Sequence, residues 1–246
     1  MSYKSVFRRY ELKYLLTPEQ REAVLSGIEP YMQLDGYGRS TIRNVYFDND
    51  SYQLIRRSIE KPAYKEKLRI RSYQLADADS TVFVELKKKY ESVVYKRRIA
   101  LPWAVAMSWV TGDCTCPVDT QISREIDYFR SIYAELHPSM FLSYEREAYY
   151  ERGGGDFRIT FDDNILCRQD NISLCKGPGG RPILPENKAL MEIKCSGAIP
   201  LWMVNILSKE RIYKTPFSKY GIAYSEYVLP KILNTNNKKE IQFNVQ

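Results

Sequence analysis

Between residues 68 and 99 the sequence reads LRIR (68–71), VFVELK (82–87) and YKRRI (95–99), with polar stretches between. Apolar and charged residues alternate in each segment, which is typical of a β-strand with two different faces. The charged residues form pairs at positions i and i+2, which are Arg69/Arg71, Glu85/Lys87 and Lys96/Arg98. The segments therefore predict neighbouring strands with one apolar face and one strongly charged face.

The charged face has two interpretations. It is either the solvent-facing side of an antiparallel sheet or the inner lining of a closed barrel. The apolar residues of these strands need a core, and the chain supplies helices to cover them. A barrel of about eight strands has room inside for side chains and one small ligand. A lumen filled with Arg and Lys would need a polyanion or internal carboxylates, because like charges repel in a low-dielectric space.

More segments continue the pattern. Strands are predicted at about 7–16, 42–47, 140–150, 157–162 and 190–195. The polar pairs on these segments are Glu11/Lys13, Tyr144/Arg146, Arg158/Asp162 and Glu192/Lys194. So many strands with one charged and one apolar face are hard to place on a single wet surface. We therefore predict an α+β domain built on an eight-stranded antiparallel β-barrel with flanking helices.

Helix and loop signals fill the gaps. Thr17, Pro18 and Gln20 form an N-terminal capping pattern for a helix that runs to about residue 31. Further helices are predicted at about 51–59, 102–110, 120–136, 200–207 and 217–229. Trp103 and Trp109 are predicted to be core residues. Residues 153–155 are predicted as a hairpin turn, 168–187 as a surface loop, 1–233 as one domain and 234–246 as a disordered polar tail.

Charge and composition limit the function. The 246 residues carry a net charge of +7, and residues 61–98 hold eleven Lys or Arg against five acids. A localised excess of this kind predicts an anionic partner. The single His, His137, is predicted to be structural and to lie at a helix end, so a His-based mechanism is not expected. Five cysteines without a CxxC pair predict reduced thiols in the cytoplasm, and no apolar run predicts membrane insertion.

A charged lumen suits phosphate chemistry. Arg binds phosphate oxygens with two parallel hydrogen bonds, and Lys supplies a compact positive charge. Carboxylates among them can hold a divalent metal that bridges phosphate oxygens. Phosphoryl transfer depends mainly on positioning and electrostatics, so it does not require a His base.

The order of these motifs resembles a known family. The motifs are LRIR (68–71), VELK (84–87), SYEREAY (143–149), RITFD (158–162), MEIK (191–194) and FSKY (217–220). Together they resemble the VTC domain, the catalytic part of the yeast vacuolar transporter chaperone complex and a member of the triphosphate tunnel metalloenzymes. The resemblance covers residues 9–220. It implies an eight-stranded tunnel and a polymerase that builds polyphosphate from the γ-phosphate of ATP with manganese.

The resemblance also implies site residues. The implied catalytic residues, which bind phosphate, are Arg69, Arg71, Lys87, Arg146, Lys194 and Lys219. The implied substrate-binding residues are Lys13, Lys96 or Arg98, Tyr144, Arg158 and Ser218. Glu192 is the implied ligand of Mn²⁺ or Mg²⁺, and Glu11 and Glu85 are further candidates. The alternative for Glu11 and Glu85 is that each neutralises the lysine two residues on. The alternative for Glu192 is a salt bridge to Lys194 or to a neighbouring strand.

One difference from the superfamily's first-strand motif affects which activity is expected. The hydrolase branch of the superfamily carries Glu-x-Glu-x-Lys on its first strand, whereas this chain has Arg9 at the first acidic position. This disfavours a triphosphatase or cyclase. The leading hypothesis is a polyphosphate polymerase acting on ATP or another triphosphate, with polyphosphate or pyrophosphate as further ligands. The alternatives are a tripolyphosphate or nucleoside-triphosphate hydrolase and a non-catalytic polyphosphate-binding module, and nucleic acid is not an expected partner.

Overall fold

The structure is a computed structural model that describes residues 6–91, 93–133 and 135–234. Its elements follow the chain in an α+β order. They are β1 (Val6–Leu16), α1 (Pro18–Ile28), β2 (Met32–Leu34), β3 (Ser40–Asp48), α2 (Gln53–Ile59), β4 (Tyr64–Ser72), β5 (Thr81–Tyr90), β6 (Val93–Pro102), α3 (Trp103–Thr111), α4 (Gln121–Ile132), β7 (His137–Glu151), β8 (Arg158–Arg168), β9 (Arg181–Pro182), β10 (Ala189–Cys195), α5 (Leu201–Lys209) and α6 (Lys219–Tyr227).

Eight of the strands form a closed antiparallel ring. Going round the ring, the order is β7, β3, β4, β5, β6, β1, β10 and β8, and β8 pairs again with β7. The short strands β2 and β9 attach outside the ring, to β7 and β8. The predicted eight-stranded barrel is therefore confirmed, and its closure gives the charged faces of the strands a common interior.

The apolar faces pack outward against helices. Leu68, Ile70 and Val84 are fully buried and share one core with Trp109 of α3 and Phe129 of α4. A second core joins β1, β8 and β10 to α1 and α5, and a third joins β3 and β7 to α2 and α6. Because each strand buries its apolar residues on the helix side, its alternate residues must face the bore.

Local signals explain where the first helices begin. In α1, the side chain of Thr17 accepts a hydrogen bond from the Gln20 amide, and the Gln20 side chain accepts one from the Thr17 amide. In α2, the buried carboxylate of Asp48 accepts hydrogen bonds from the amides of Leu54 and Ile55, at 2.9 Å each. These bonds satisfy amides that have no partner within the helix.

Three predicted boundaries were wrong. The first helix ends at Ile28 instead of about 31, and residues 32–34 form β2 against β7. The helix predicted to reach residue 136 ends at Ile132, whose side chain is 54% exposed. His137 lies at the start of β7 instead of at a helix end. Pro138 explains the change, because the residue before a proline is biased toward extended backbone.

The loop predictions hold with one addition. Gly153 and Gly154 both adopt positive φ angles in the turn that joins β7 to β8, which favours glycine. Residues 168–187 form an irregular connection that includes the two-residue strand β9. Of the predicted polar tail, residues 235–246 lie outside the described residues.

Candidate functional site

The barrel encloses a cavity of about 710 Å³ at its axis. Ring strands supply most of its charged lining, the first turn of α6 supplies Lys219, and Lys61, Glu91, Lys214 and Glu226 lie elsewhere along it. The predicted site residues that line it are Glu11, Lys13, Arg69, Arg71, Lys87, Lys96, Tyr144, Arg146, Glu192, Lys194, Ser218 and Lys219. Alternation in the sequence did not decide whether the charged faces point to solvent or to an interior. The fold brings these side chains together inside the barrel.

Glu192 is the acidic centre of one half of the cavity. Its carboxylate lies 2.9 Å from Lys194 Nζ and 3.0 Å from Lys219 Nζ, and 3.5 Å from both Lys13 Nζ and Arg146 Nη2. These cations overcome the effect of burial and hold the pKa of Glu192 well below its usual range. Glu192 is therefore ionised and offsets part of the positive charge around it.

Asp162 is a second acidic centre beside Glu192. Both of its oxygens accept hydrogen bonds from Arg146, at 2.6 Å each, and Lys219 Nζ lies 2.6 Å away. Asp162 has no solvent exposure, and the pKa of its carboxyl is lowered by Arg146 and Lys219 despite burial. The sequence prediction did not include Asp162 among the site residues, although it shares a strand face with Arg158.

Glu85 holds the cations of the opposite wall. Arg69 donates to Glu85 Oε2 from Nε at 2.9 Å and from Nη2 at 2.7 Å, and Lys96 donates to Oε1 at 3.1 Å. Glu85 is fully buried, and Arg71, Arg69 and Lys96 lower the pKa of its carboxyl against the effect of burial. Glu85 neutralises residues on neighbouring strands, and not Lys87 two residues on.

Neutral side chains complete the fixing of the arginines. Arg69 donates to the Tyr46 hydroxyl at 2.9 Å. Arg71 donates to Asn44 Oδ1 at 2.9 Å and to the Tyr144 hydroxyl at 2.8 Å. Tyr46 and Asn44 were missed by the sequence analysis, because the strand at 42–47 shows no charged pair. They nevertheless determine the orientation of two guanidinium groups.

We call the set Arg69, Arg71, Lys96, Arg146, Lys194 and Lys219, together with Glu85, Asp162 and Glu192, the inner bore. In this set each cation lies within 4 Å of a carboxylate oxygen. Burial outweighs these partners for Lys96 and Lys194 and lowers the pKa of each to about 7. Their positive charge therefore depends on pH near neutrality.

A different set lies where the cavity opens. We call Lys65, Lys67 and Lys89 the mouth lysines, because exposed residues such as Lys61 and Glu91 line the same end of the cavity. Lys67 Nζ donates to Ser218 Oγ at 2.8 Å, and Lys65 Nζ donates to the Ser58 carbonyl at 3.0 Å. Lys67 carried no role in the sequence prediction.

The first turn of α6 reaches into this arrangement. Ser218 is the N-cap residue, and its hydroxyl accepts a hydrogen bond from the Gly221 amide at 3.2 Å. Lys219, the first residue of the helix, then points between Asp162 and Glu192 and lies 4.6 Å from the centre of the Tyr144 ring. The cap thus places one hydroxyl at the mouth and one cation in the inner bore.

Two predicted phosphate ligands do not line the cavity. Arg158 is the first residue of β8, its side chain is 45% exposed, and it pairs with Asp35 at 3.2 Å. Arg98 lies opposite Glu85 in the β5–β6 ladder, but its guanidinium lies over the Phe83 ring, 4.8 Å from its centre. A period of two identifies a strand face, but it does not determine where a long side chain ends.

The three candidate metal ligands do not meet at one point. Lys13 Nζ lies 3.9 Å from Glu11 and 3.5 Å from Glu192, so these two carboxylates are neighbours, whereas Glu85 belongs to the opposite wall. Glu11 also accepts a hydrogen bond from Lys87 at 2.7 Å. Within residues 6–91, 93–133 and 135–234, no group of three or more His, Cys, Asp or Glu is placed to share a metal ion.

Comparison with known proteins agrees with this architecture. The family model described as VTC domain matches residues 8–228. No curated protein matches the sequence. A Bacillus halodurans structure assigned as an adenylate cyclase has a TM-score of 0.55 at 16% identity, covering 87% of this chain and 96% of that one. A Hippeastrum protein, assigned as an adenylyl cyclase with a dominant triphosphatase activity, has a TM-score of 0.51 at 17% identity, covering 90% and 98%.

These two structural neighbours share the tunnel fold with this chain. At such low sequence identity, the similarity is evidence for the fold alone.

Among the helices of the described residues, none combines the length and the apolar composition needed to span a bilayer.

Proposed function

The chain belongs to the VTC domain family, and from this premise we propose that it is a metal-dependent polyphosphate polymerase. In the proposed reaction the γ-phosphate of ATP is transferred to the end of a growing polyphosphate chain inside the barrel. The family and the fold support a triphosphate-tunnel protein, and the finer assignment of polymerase is our inference from the site.

One observation carries the proposal. Cations from strands all round the ring converge on a single enclosed cavity, where tyrosines, an asparagine and buried carboxylates fix their positions. A row of fixed cations is complementary to a chain of phosphates, and Arg can bind phosphate oxygens in pairs. The arrangement is formed before the ligand arrives, so little ordering is needed on binding.

The charge state of the site favours transfer to phosphate over transfer to water. Glu11, Glu85, Asp162 and Glu192 are all ion-paired, and the pKa of each carboxyl is lowered, which makes each a weak base. Water needs a base or an orienting group to attack a phosphoryl group, whereas the end of a polyphosphate chain is already an anion. Positive charge around the transferred group stabilises the transition state in either reaction.

Residues of the inner bore would have different roles in the proposed reaction. Arg69, Arg71 and Arg146 would bind and orient the phosphates, and Lys194 and Lys219 would offset the charge that develops on the leaving and attacking oxygens. Lys219 is suited to this because Asp162 and Glu192 raise the pKa of its ammonium, which keeps it protonated.

A divalent cation fits only part of the predicted ligand set. Glu11 and Glu192 are adjacent, and Mg²⁺ or Mn²⁺ often takes one or two carboxylates and completes its shell with phosphate oxygens and water. Glu85 does not fit, because it lies on the opposite wall, paired with Arg69 and Lys96, away from Glu11 and Glu192. When bound, the metal would supply Lewis-acid charge stabilisation at the phosphates.

The test is a reaction of the purified protein with ATP and Mn²⁺ or Mg²⁺, followed by ³¹P NMR. Resonances of chain-internal phosphates that grow as ATP is consumed support the polymerase. Free phosphate without chain growth identifies a triphosphate hydrolase on the same barrel. Unchanged ATP together with binding of added polyphosphate identifies a non-catalytic binding module. Location in the cytoplasm is part of the proposal, and fractionation of the producing cells tests it.

A further inference from the structure

The mouth lysines all lie opposite another lysine in the β4–β5 ladder. In this ladder Lys65 lies opposite Lys89, and Lys67 lies opposite Lys87. Like charges directly opposite one another destabilise an antiparallel pair. Both pairs face the cavity, and Lys87 of the second pair is compensated by Glu11. The repulsion at Lys65, Lys67 and Lys89 is a cost to the free protein that a bound anion would reduce.

The partners of these lysines are neutral. Lys67 donates to a hydroxyl and Lys65 to a carbonyl. Within the described part of the chain, Lys65, Lys67 and Lys89 form no ion pair with a carboxylate, whereas Lys87 is paired with Glu11. Burial and neighbouring lysines lower the pKa of all three ammonium groups. No carboxylate contact therefore offsets the charge that these groups carry when protonated, and a bound anion would favour their protonated form.

The mouth continues the row of arginines in the inner bore. Lys65, Lys67, Arg69 and Arg71 occupy alternate positions of β4 and all line the cavity. At about 3.3 Å per residue, the backbone between the first and last of them spans roughly 20 Å. A triphosphate that contacts Arg69 and Arg71 leaves the outer part of this row without phosphates.

We propose that Lys65, Lys67 and Lys89 form a separate subsite for the phosphates of a linear chain that extends beyond the triphosphate held in the inner bore. The subsite makes the protein bind a long polyphosphate more tightly than tripolyphosphate. The inference deepens the proposed function and rests on its premise that the cavity binds polyphosphate, but it does not depend on turnover.

The test compares two ligands and two kinds of lysine by isothermal titration calorimetry. The ligands are tripolyphosphate and long-chain polyphosphate. The variants are Lys67→Met and Lys65→Met. The matched control is Lys88→Met, because Lys88 lies between Lys87 and Lys89 but contacts Glu66 and Glu125 outside the cavity. Methionine keeps nearly the length of the side chain and removes its charge and its hydrogen-bond donors, in the mouth variants and in the control alike.

We expect each mouth variant to lower the affinity for long-chain polyphosphate by about tenfold and the affinity for tripolyphosphate by less than about twofold. The dependence of long-chain affinity on salt should also become less steep, since fewer counterions are released. Lys88→Met should match the wild type for both ligands. Thermal unfolding without ligand checks that each variant is folded.

The subsite is overturned if a mouth variant loses the same factor of affinity for both ligands. It is also overturned if the loss of affinity for the long chain is no larger than in Lys88→Met. Either result leaves the proposed function intact. If the mouth instead receives the nucleoside end of ATP, the advantage of the long chain persists in the variants, and this also rejects the proposal. Failure of the wild-type protein to bind either polyphosphate overturns the proposed function and the subsite together.

Discussion

The inner bore and the mouth both present cations to the cavity, but carboxylates pair with these cations only in the inner bore. In the inner bore, carboxylates from neighbouring strands alternate with the cations, so Arg69 lies opposite Glu85 and Lys13 lies opposite Glu192. At the mouth, Lys65 lies opposite Lys89, and neither has a carboxylate partner among the described residues. The carboxylates of the inner bore therefore stabilise its geometry without a ligand, whereas the mouth lysines repel one another when they are protonated.

This difference indicates what each region supplies. The proposed phosphoryl transfer needs groups whose positions are fixed before the reaction, and the buried carboxylates would provide that order. Attraction of the proposed polyanion needs positive charge that carboxylates do not cancel, and the mouth lysines would provide it when protonated.

The largest effect is expected from removal of the counter-charge in the inner bore. Glu85→Gln keeps the shape of the side chain but leaves Arg69, Arg71 and Lys96 buried without their carboxylate. Breaking a buried ion pair on one side costs about 3–5 kcal/mol of stability. Urea unfolding measures this, and polyphosphate should restore part of the loss by supplying the missing anion.

The matched control for this prediction is Glu147→Gln. Glu147 pairs with Arg21 at a partly exposed position, so its removal should cost less than about 1 kcal/mol. A Glu85→Gln protein as stable as the Glu147→Gln protein would contradict the description of the inner bore as a set of mutually compensating charges.

The next effect concerns the proposed metal ligand. Glu192→Gln removes a carboxylate that faces Glu11 and four cations, so we expect turnover to fall by about a hundredfold or more. Binding of tripolyphosphate should not fall, because the cavity becomes more positive. Turnover assays with Mn²⁺ and calorimetry without metal separate the two quantities. Equal turnover in the variant would remove Glu192 from the proposed metal site.

The sequence predicted the barrel because its signals are local and repeated. Alternation in segments such as 68–71 and 82–87 identifies an apolar and a charged face for each strand. A closed ring satisfies all strands at once. The three-residue strand β2 was missed because it is too short to show a period. The early end of α4 was missed because the apolar spacing continued past the point where the backbone changes before Pro138.

The partners of the site residues could not be predicted in the same way. Alternation identifies residues that face inward, but their contacts cross the ring between strands that are far apart in sequence. Asp162 meets Lys219 across 57 positions, and Lys67 meets Ser218 across 151. Glu85 was therefore taken as a metal ligand, and the central position of Asp162 went unnoticed. Strand ends add to the difficulty, as Arg158 shows.

A third prediction uses the lysines of the inner bore. Burial lowers the pKa of Lys96 and Lys194 to about 7, while bound phosphates favour the charged form. Affinity for long-chain polyphosphate should be constant below about pH 6 and fall above about pH 7. The fall approaches about tenfold per pH unit for each lysine that must be protonated on binding. Internal phosphates keep a constant charge in this range, so the lysines dominate the change.

Calorimetry over this pH range measures the effect, and Lys96→Met serves as the comparison. Loss of one titrating group should make the dependence on pH less steep in this variant. An affinity that is independent of pH between about 6 and 9 in the wild type would show that both lysines stay protonated in the free protein.

The smallest effect is expected from the mouth in the absence of ligand. Lys67→Met removes the repulsion between Lys67 and its neighbours, so the variant should be more stable than the wild type by about 1 kcal/mol at neutral pH. The folded-state pKa of Lys67 is lowered, so the unfolded chain binds more protons between that pKa and about 10.4. Wild-type stability therefore gains from this group as the pH rises through that window.

The difference between Lys67→Met and the wild type should consequently shrink as the pH approaches about 10. Chemical unfolding at several pH values measures it, with Lys88→Met as the control that is neutral or slightly destabilising, because Lys88 has acidic partners. A Lys67→Met protein less stable than the wild type at neutral pH would mean that the hydrogen bond to Ser218 outweighs the repulsion. In that case the mouth, like the inner bore, is ordered before the ligand binds, and the contrast between the two regions disappears.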